Sequence, residues 1–501
     1  MRSSNGLLLI SIVILLSFIA LTGCSNVEGG KTSSDAASKT TAAVGKIPNT
    51  TSSEEARKEF LTGRDLAERL LIQDSTQHYD KAIALDPNFA LAELGRANSA
   101  PTAKEFFEHL KKAVGLADKA SEGERLLILA QEAGANGNLV KQKELLEKLV
   151  ATYPNDERAH FNLGGYYFGQ QDYDAAITHY KQATELAPSY SPAYNILGYA
   201  YRQRENYADA EQAFKKYIEL IPNDPNPYDS LAELFLKMGK FDDSITQYKK
   251  ALSIDSNFIN SHLGIGAALM YQGKAADAAA EFNKITPKAR SDGERRAALF
   301  ALTVLAVDSG KMDQALAEVD KQYALGEKTS DAPNLAGDLQ LKGNILLEMG
   351  KYDEAKQAYE RALKTTQDSN SSPEIKNNAQ LFQHYNLARV ALGKKDAATA
   401  KAEAAEFQKG AEAGKNPNQV KLARELAGLI ALQEKNNDQA IAELQLANLQ
   451  NPQNLFRLGW AYEAKGDKQK AKEFYAKTGH FNSLPQMNYA FVRAKATKLA
   501  A

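Results

Sequence analysis

The sequence predicts an all-α solenoid of about twelve helical hairpins, preceded by an apolar leader and a polar linker. Pro154, Pro188 and Pro222 follow one another at intervals of 34 residues. Small and aromatic residues recur at helical spacing between these prolines. The only cysteine, Cys24, ends the only strongly apolar run. A chain of 501 residues exceeds one compact core, and an extended array of repeats is one architecture that accommodates it.

The composition of the chain gives it no strong electrostatic preference. Its 61 basic residues are balanced by 62 acidic residues, so no field attracts a nucleic acid to the surface. A single cysteine allows no internal disulfide. We therefore expect no nucleic-acid partner.

The first element is an apolar leader. Residues Met1–Gly6 contain one positive side chain, Arg2, and Leu7–Leu21 form an apolar run of 15 residues interrupted only by Ser11 and Ser17. This length is typical of a secretory signal peptide, whereas a membrane-spanning helix needs about 20 apolar residues. The leader therefore predicts export from the cytoplasm.

The end of the leader resembles the signal of bacterial lipoproteins. Leu21, Thr22 and Gly23 place a leucine and two small residues before Cys24. The resemblance implies that residues 1–23 are removed and that Cys24 is acylated as the first residue of the mature chain. Stable attachment to a membrane needs two or more acyl chains, which multiple acylation of this cysteine supplies. The alternative is an uncleaved membrane anchor with an incidental thiol.

The lipoprotein resemblance also implies a location. Ser25 follows the cysteine, whereas an aspartate at this position retains lipoproteins on the inner membrane in the enterobacterial sorting pattern. We therefore expect an extracytoplasmic, membrane-anchored protein. In a host with two membranes, it would be on the outer membrane, facing the periplasm.

Residues 24–52 are interpreted as the lipidated cysteine and a flexible tether. They are rich in Ser, Thr, Ala and Gly and contain almost no large apolar side chain, so they cannot bury enough surface to fold. A flexible chain of about 28 residues has a typical reach of roughly 30 Å. The tether would hold the folded part clear of the lipid headgroups.

The repeat is clearest in three consecutive units, Glu157–Tyr190, Ser191–Asp224 and Pro225–Phe258. Each unit has apolar residues four apart in a first helix and small or aromatic residues at i, i+4 and i+7 in a second helix. In the first unit, Gly164 and Ala176 are the small residues that let the two helices approach closely. The units therefore predict tightly packed helical hairpins.

The turns inside the hairpins have their own pattern. Gly239, Gly310 and Gly350 are each followed by a lysine, an apolar residue and an aspartate. Glycine ends a helix readily in the left-handed conformation, and aspartate near the next N-terminus caps free amides. The pattern predicts a tight turn between the two helices of each hairpin.

These positions resemble the signature of the tetratricopeptide repeat (TPR), and the resemblance covers nearly all of the chain after the tether. It implies divergent hairpins in residues 53–156, well-formed repeats in 157–290 and degenerate repeats in 291–483. Residues 484–501 are interpreted as one C-terminal capping helix of the kind that solenoids need.

The period of 34 breaks down in the C-terminal half. We expect longer links near residues 328–335, 366–378 and 409–419. These links would separate the degenerate repeats.

No motif for catalysis, metal binding or a cofactor is evident. The seven histidines form no HExxH pair, and no GxxxxGK[ST] or GxSxG motif occurs. His160 and His262 fall where the TPR family often places a large aromatic residue, and they are interpreted as packing residues. We therefore expect no catalytic residue, metal or cofactor, and we expect that the chain is not an enzyme.

The TPR resemblance implies that the first helices line a concave face where partner segments lie. The candidate partner-binding residues are the side chains at matching first-helix positions. They are Phe161, Phe168, Asn195, Tyr199, Arg202, Asp229, Glu233, Lys237, Met270, Tyr271, Phe300 and Trp460. Aromatic and arginine side chains among them are candidate anchors.

These features predict a lipid-anchored TPR scaffold or adaptor for other proteins or peptides of the bacterial cell envelope. The alternative is a groove that captures a peptide or solute for delivery to an envelope transporter. Stable protein partners in a pulldown would favour the scaffold. A co-purified small molecule would favour capture.

Overall fold

The computed structural model describes residues 45–501. The predicted signal peptide, Cys24 and the tether up to residue 44 lie outside the described residues. From residue 45 onward the secondary structure is helical, with no strand in this part of the chain. No helix within residues 45–501 combines the length and the apolar character that crossing a membrane requires.

The helices pair into twelve consecutive hairpins over residues 54–479, which agrees with the number that the sequence predicts. Hairpin 1 is Glu54–Glu68 and Ile72–Leu85, hairpin 2 is Ala90–Asn98 and Ala103–Leu116, hairpin 3 is Glu122–Ala135 and Leu139–Thr152, hairpin 4 is Glu157–Gly169 and Tyr173–Leu186, hairpin 5 is Ser191–Gln203 and Tyr207–Leu220, and hairpin 6 is Asn226–Lys237 and Phe241–Ile254. Hairpin 7 is Ile259–Tyr271 and Ala275–Asn283, hairpin 8 is Asp292–Asp308 and Met312–Thr329, hairpin 9 is Ala332–Glu348 and Tyr352–Asp368, hairpin 10 is Pro373–Gly393 and Ala397–Ala413, hairpin 11 is Pro417–Gln433 and Asn437–Leu446, and hairpin 12 is Pro452–Lys465 and Lys468–Gly479. Short helices Ala117–Lys119 and Ile285–Lys288 follow hairpins 2 and 7.

Small residues of the first helices make these hairpins tight. A methyl group built on Gly164 would lie 2.8 Å from the Tyr180 ring of the paired helix. The same close packing occurs between neighbouring hairpins, where a methyl group on Gly264 of hairpin 7 would lie 2.0 Å from the fully buried ring of Tyr248 of hairpin 6. The aromatic ring of one helix therefore occupies the space that a side chain on the other would need. This arrangement confirms the reason for the small residues in the repeat.

The links in the C-terminal half differ from the expectation. The second helix of hairpin 8 continues to Thr329, and hairpin 9 begins at Ala332. Hairpins 9 and 10 are likewise separated by residues 369–372 and hairpins 10 and 11 by 414–416. The expected long links are therefore wrong. The additional residues lengthen the helices instead.

The array returns on itself after about seven hairpins. Gln73 of hairpin 1 donates a hydrogen bond to Glu294 of hairpin 8 at 3.1 Å. Asn136, at the turn of hairpin 3, accepts hydrogen bonds from Ser372 and Asn378 at hairpin 10, at 2.8 and 3.3 Å. Hairpins seven apart in sequence are thus neighbours in space, as in a superhelix whose second turn contacts its first.

The described end of the predicted tether is docked on the array. The backbone N–H groups of Ile47 and Thr50 donate to Asp156 at 2.8 Å and to Glu124 at 2.6 Å. Lys46 forms an ion pair with Glu157. The expectation of a flexible tether up to residue 52 is therefore wrong for residues 46–51, which we call the strap. Its composition is polar, but carboxylates of hairpins 3 and 4 bind its backbone.

The C-terminal region is not the single capping helix that the sequence predicts. Residues 480–486 form no helix, and two short helices, Met487–Ala490 and Arg493–Ala500, follow. Met487, Phe491 and Val492 are less than a tenth exposed and belong to one hydrophobic cluster with residues of hairpins 7 and 8. Residues 480–493, named the C-terminal segment below, therefore pack against the middle of the array.

Candidate functional site on the first-helix face

Three first helices hold the C-terminal segment through their final residues. Lys237 ends the first helix of hairpin 6, and its Nζ donates to the Phe481 carbonyl at 2.8 Å. Tyr271 ends the first helix of hairpin 7, and its Oη donates to the Ser483 carbonyl at 2.6 Å. Equivalent positions of neighbouring repeats therefore bind the carbonyls of residues 481 and 483 in one non-helical segment.

Hairpin 8 supplies the third contact of this row. Asp308 is the final residue of its first helix. The carboxylate accepts two hydrogen bonds from the Arg493 guanidinium, one of them at 2.6 Å from Nε. We call Lys237, Tyr271 and Asp308 the ladder, because the three residues occupy the same place in three consecutive hairpins.

Aromatic rings and buried charge strengthen the ladder. The Lys237 ammonium lies 4.3 Å from the centre of the Phe481 ring, which is a cation–π geometry. Burial and the charge of Arg202 lower the pKa of Lys237 to about 8. The Tyr271 ring lies 5.5 Å from that of Tyr489, and burial raises the pKa of both phenols, to about 12 for Tyr489. The polar contacts thus lie in a largely dehydrated setting.

Hairpins 5 and 6 are joined by a polar network of four predicted residues. Tyr199 Oη donates to Glu233 at 2.9 Å, and Arg202 pairs with the same carboxylate at 3.0 Å. The Arg202 guanidinium also lies 4.6 Å from the centre of the Tyr199 ring. Asp229 is buried and accepts a hydrogen bond from Ser261 at 2.6 Å. These groups satisfy one another, so they brace adjacent repeats.

Burial and the charge of Glu233 raise the pKa of Asp229 well above its usual value. This residue is 3% exposed. It offers no surface to a partner in this structure.

Other predicted residues are also less accessible than the sequence suggests. Met270 is 2% exposed and Asn195 is 8% exposed. Phe161 packs on Tyr180 and Tyr190, Phe168 packs on Tyr173, and Phe300 lies against the cluster of hairpins 7 and 8. The expectation that Met270, Asn195 and Asp229 are surface anchors is therefore wrong, because neighbouring hairpins bury them.

Trp460 is the clearest exception. Its side chain in the first helix of hairpin 12 is 54% exposed. It is one of few large apolar side chains among residues 45–501 with such exposure. It therefore remains a candidate anchor on the surface.

A buried network in hairpins 10 to 12 has no counterpart among the predicted site residues. Glu425 accepts hydrogen bonds from Tyr385 at 2.8 Å, from Asn454 at 2.9 Å and from Arg457 at 2.8 Å. Burial opposes the charge of Glu425, but Arg457 and these hydrogen bonds lower its pKa overall.

Asp308 is also absent from the predicted site residues. Its alignment with Lys237 and Tyr271 at the first-helix ends is the sequence signal that identifies it.

Comparison with known proteins agrees with this architecture. Family models described as tetratricopeptide repeats match residues 129–191, 166–225 and 453–479. A TPR repeat model matches 232–273, and a tetratricopeptide repeat-like domain matches 259–380. The chain therefore contains tetratricopeptide repeats, and none of these matches is a catalytic family. A comparison with curated proteins finds no match.

Solved TPR structures resemble parts of the chain. A tetratricopeptide repeat protein from Parabacteroides merdae ATCC 43184 is 15% identical, with a TM-score of 0.35, over 57% of this chain and 99% of that protein. MamA from Desulfovibrio magneticus RS-1 is 18% identical, with a TM-score of 0.29, over 34% of this chain and 96% of that one. A TPR protein from Thermus thermophilus is 20% identical, with a TM-score of 0.28, over 43% of this chain and 99% of that one. At these identities the likeness concerns the fold alone.

Proposed function

We propose that the protein is a lipid-anchored, extracytoplasmic scaffold that binds extended segments of other cell-envelope proteins on its first-helix face. One observation carries the binding part of this proposal. The ladder residues Lys237 and Tyr271 already bind two backbone carbonyls in the non-helical part of the C-terminal segment. Backbone carbonyls are common to every polypeptide, so such contacts suit partner segments of varied sequence.

The sequence supports the anchoring part of the proposal. Cys24, at the end of the apolar leader, would be acylated after removal of residues 1–23. Residues 25–45 would then link the lipid to the strap at Lys46. About 21 residues have a typical reach of roughly 25 Å, so the array would stay near the membrane surface.

Capture of a small solute is the weaker alternative. A cavity of about 470 Å³ lies beside hairpin 1, but it is lined only by residues of one helix, between Glu54 and Asp65. Solute sites are normally enclosed by several elements with convergent polar groups. The ladder, by contrast, draws on three hairpins and contacts a polypeptide.

Two measurements on the full chain in cells test this proposal. Cys24→Ala should release the protein from membranes or leave it uncleaved, because the acylated thiol is lost. A variant that remains cleaved and membrane-bound would contradict the anchoring. Photo-crosslinking from position 460 should recover defined envelope proteins, and crosslinks confined to the chain itself would contradict the scaffold.

A further inference from the structure

The C-terminal segment is attached to the ladder in the manner of a bound peptide. Its residues 480–486 are not helical, and Asn482 has a left-handed backbone with φ +35°. Of the three ladder contacts, two are made to its backbone and one to the side chain of Arg493. Residues 481–485 form no α-helical hydrogen bonds, which are confined to the two ends of the stretch, from His480 to Ala476 and from Ala490 to Gln486.

Besides the rings of Phe481 and Tyr489, which lie against Lys237 and Tyr271, the last residues of the segment are recognised through their side chains. Phe491 and Val492 are each 7% exposed and pack in the cluster of hairpins 7 and 8. Arg493 follows them directly and reaches Asp308. The site thus binds a non-helical stretch, one helical turn at Met487–Ala490, and then a pair of bulky apolar residues and an arginine.

We propose that the C-terminal segment is an internal ligand that keeps this site closed. The site would accept in its place a partner segment with the same chemistry, a non-helical stretch and a helical turn that end in two apolar residues and an arginine. This inference rests on the proposed scaffold function and names its binding site and the chemistry of its partner.

The energetics of the ladder allow such an exchange. Lys237, Asp308 and Arg493 carry charges that are largely withdrawn from water, and withdrawal of charge offsets part of the attraction between them. A partner segment would restore each contact that the internal segment gives up. Whether the site holds the internal segment or a partner then depends on two concentrations, the effective concentration of the tethered segment and the concentration of the partner.

The test uses the full chain and a labelled peptide with the sequence of residues 479–494. Arg493→Glu places a carboxylate against Asp308 and should detach the internal segment. Fluorescence anisotropy should show at least tenfold tighter peptide binding to this variant than to the unmodified chain. A peptide that carries glutamate in place of its own arginine should bind the variant at least tenfold more weakly than the original peptide.

Two further variants separate binding from loss of structure. Arg295→Glu changes a half-exposed arginine in the same helix as Asp308. Arg295 pairs with Asp292 and donates to the Ala289 carbonyl, and this variant should bind the peptide no better than the unmodified chain. Combining Tyr271→Phe with Arg493→Glu removes a ladder donor and should weaken peptide binding at unchanged helicity. Hydrogen exchange should become faster in residues 481–492 of Arg493→Glu alone.

Three results would overturn the inference. They are equal peptide binding by Arg493→Glu and Arg295→Glu, unchanged exchange of residues 481–492, and a concentration-dependent dimer of Arg493→Glu that exchanges its segment with a second copy. If the inference fails while the scaffold function holds, the same partners crosslink with equal yield to the unmodified chain and to Arg493→Glu. If the scaffold function itself fails, neither protein yields a partner.

Discussion

The guanidinium of Arg493 contacts the carboxylate of Asp308, which lies 185 positions earlier in the chain, with Nε 2.6 Å from Oδ1. Only 5% of the Asp308 side chain and 19% of the Arg493 side chain are exposed. Bidentate ion pairs, in which a guanidinium donates two hydrogen bonds to one carboxylate, are among the stronger ion pairs in proteins. The pair therefore fixes the end of the C-terminal segment to hairpin 8.

Removing the charge of Asp308 should destabilise the protein. Asp308→Asn leaves the guanidinium shielded from water without a counter-charge, so we expect the free energy of unfolding to fall by about 2 to 4 kcal/mol. Asp292→Asn, in the more exposed pair with Arg295, should cost less than about 1 kcal/mol. Urea unfolding followed by circular dichroism measures both. Equal losses would contradict the structural role of Asp308.

The effect of replacing a glycine by alanine on stability should depend on the space around that glycine. A methyl group on Gly264 would lie 2.0 Å from the Tyr248 ring, so Gly264→Ala should cost about 1 to 3 kcal/mol or more. Gly115 has no heavy atom within 4 Å of that position, so Gly115→Ala should add up to about 1 kcal/mol through helix propensity. Thermal unfolding of the two variants compares them. A stable Gly264→Ala would show that the hairpins pack less closely.

Lys237 should make the stability of the protein change with pH in the alkaline range. Its pKa is about 8 in the folded chain against an ordinary value of 10.5, so the unfolded chain binds the proton first as the pH falls. Burying the neutral Lys237 amine carries no penalty from protonation above about pH 10.5. The penalty grows as the pH falls towards 8 and stays constant at lower pH, so the stability of the protein falls over this range. Between about pH 7.5 and 9.5, the melting temperature of the unmodified chain should therefore rise relative to that of Lys237→Met.

The matched control for this pH series is the exposed residue Lys249, in the second helix of the same hairpin. Lys249→Met removes one positive charge at an exposed position and so corrects for the general effect of losing a charge from this hairpin. A difference for Lys237→Met that does not change with pH would mean that the ammonium is hydrated and that the ladder is open to water.

The strap should be protected from solvent. The amides of Ile47 and Thr50 donate to Asp156 and Glu124, so their hydrogen exchange should be slow for so polar a segment. Glu124→Gln replaces one acceptor with a weaker, neutral one and should speed exchange at Thr50 more than at Ile47. Exchange at Thr50 as fast as in an unfolded peptide would contradict the docked strap.

The hairpins could be predicted from the sequence because their determinants are local. Gly164 and the turn glycine Gly239 act within one hairpin, Gly264 acts between adjacent hairpins, and such residues recur with the repeat. The lengthened helices of hairpins 8 to 10 could not be predicted, because the added residues change the period of 34. The sequence therefore wrongly predicts long links at these places.

Contacts between distant parts of the chain were the hardest to predict. The row of Lys237, Tyr271 and Asp308 could be predicted as a set of equivalent positions, but its occupant could not. The pairing of Asp308 with Arg493 depends on how the whole array curves. The docking of the strap could not be predicted for a different reason. Its backbone N–H groups bind carboxylates, and such contacts leave no pattern in the side chains of the strap.

Photo-crosslinking from position 271 tests the central claim most directly, since that claim is that the first-helix face binds the chain's own C-terminal segment. A photoreactive phenylalanine derivative in place of Tyr271 keeps an aromatic ring beside Tyr489. Mass spectrometry of the full chain should locate its crosslinks within residues 481–489. Crosslinks only to neighbouring hairpins, with residues 481–489 unmodified, would contradict the claim.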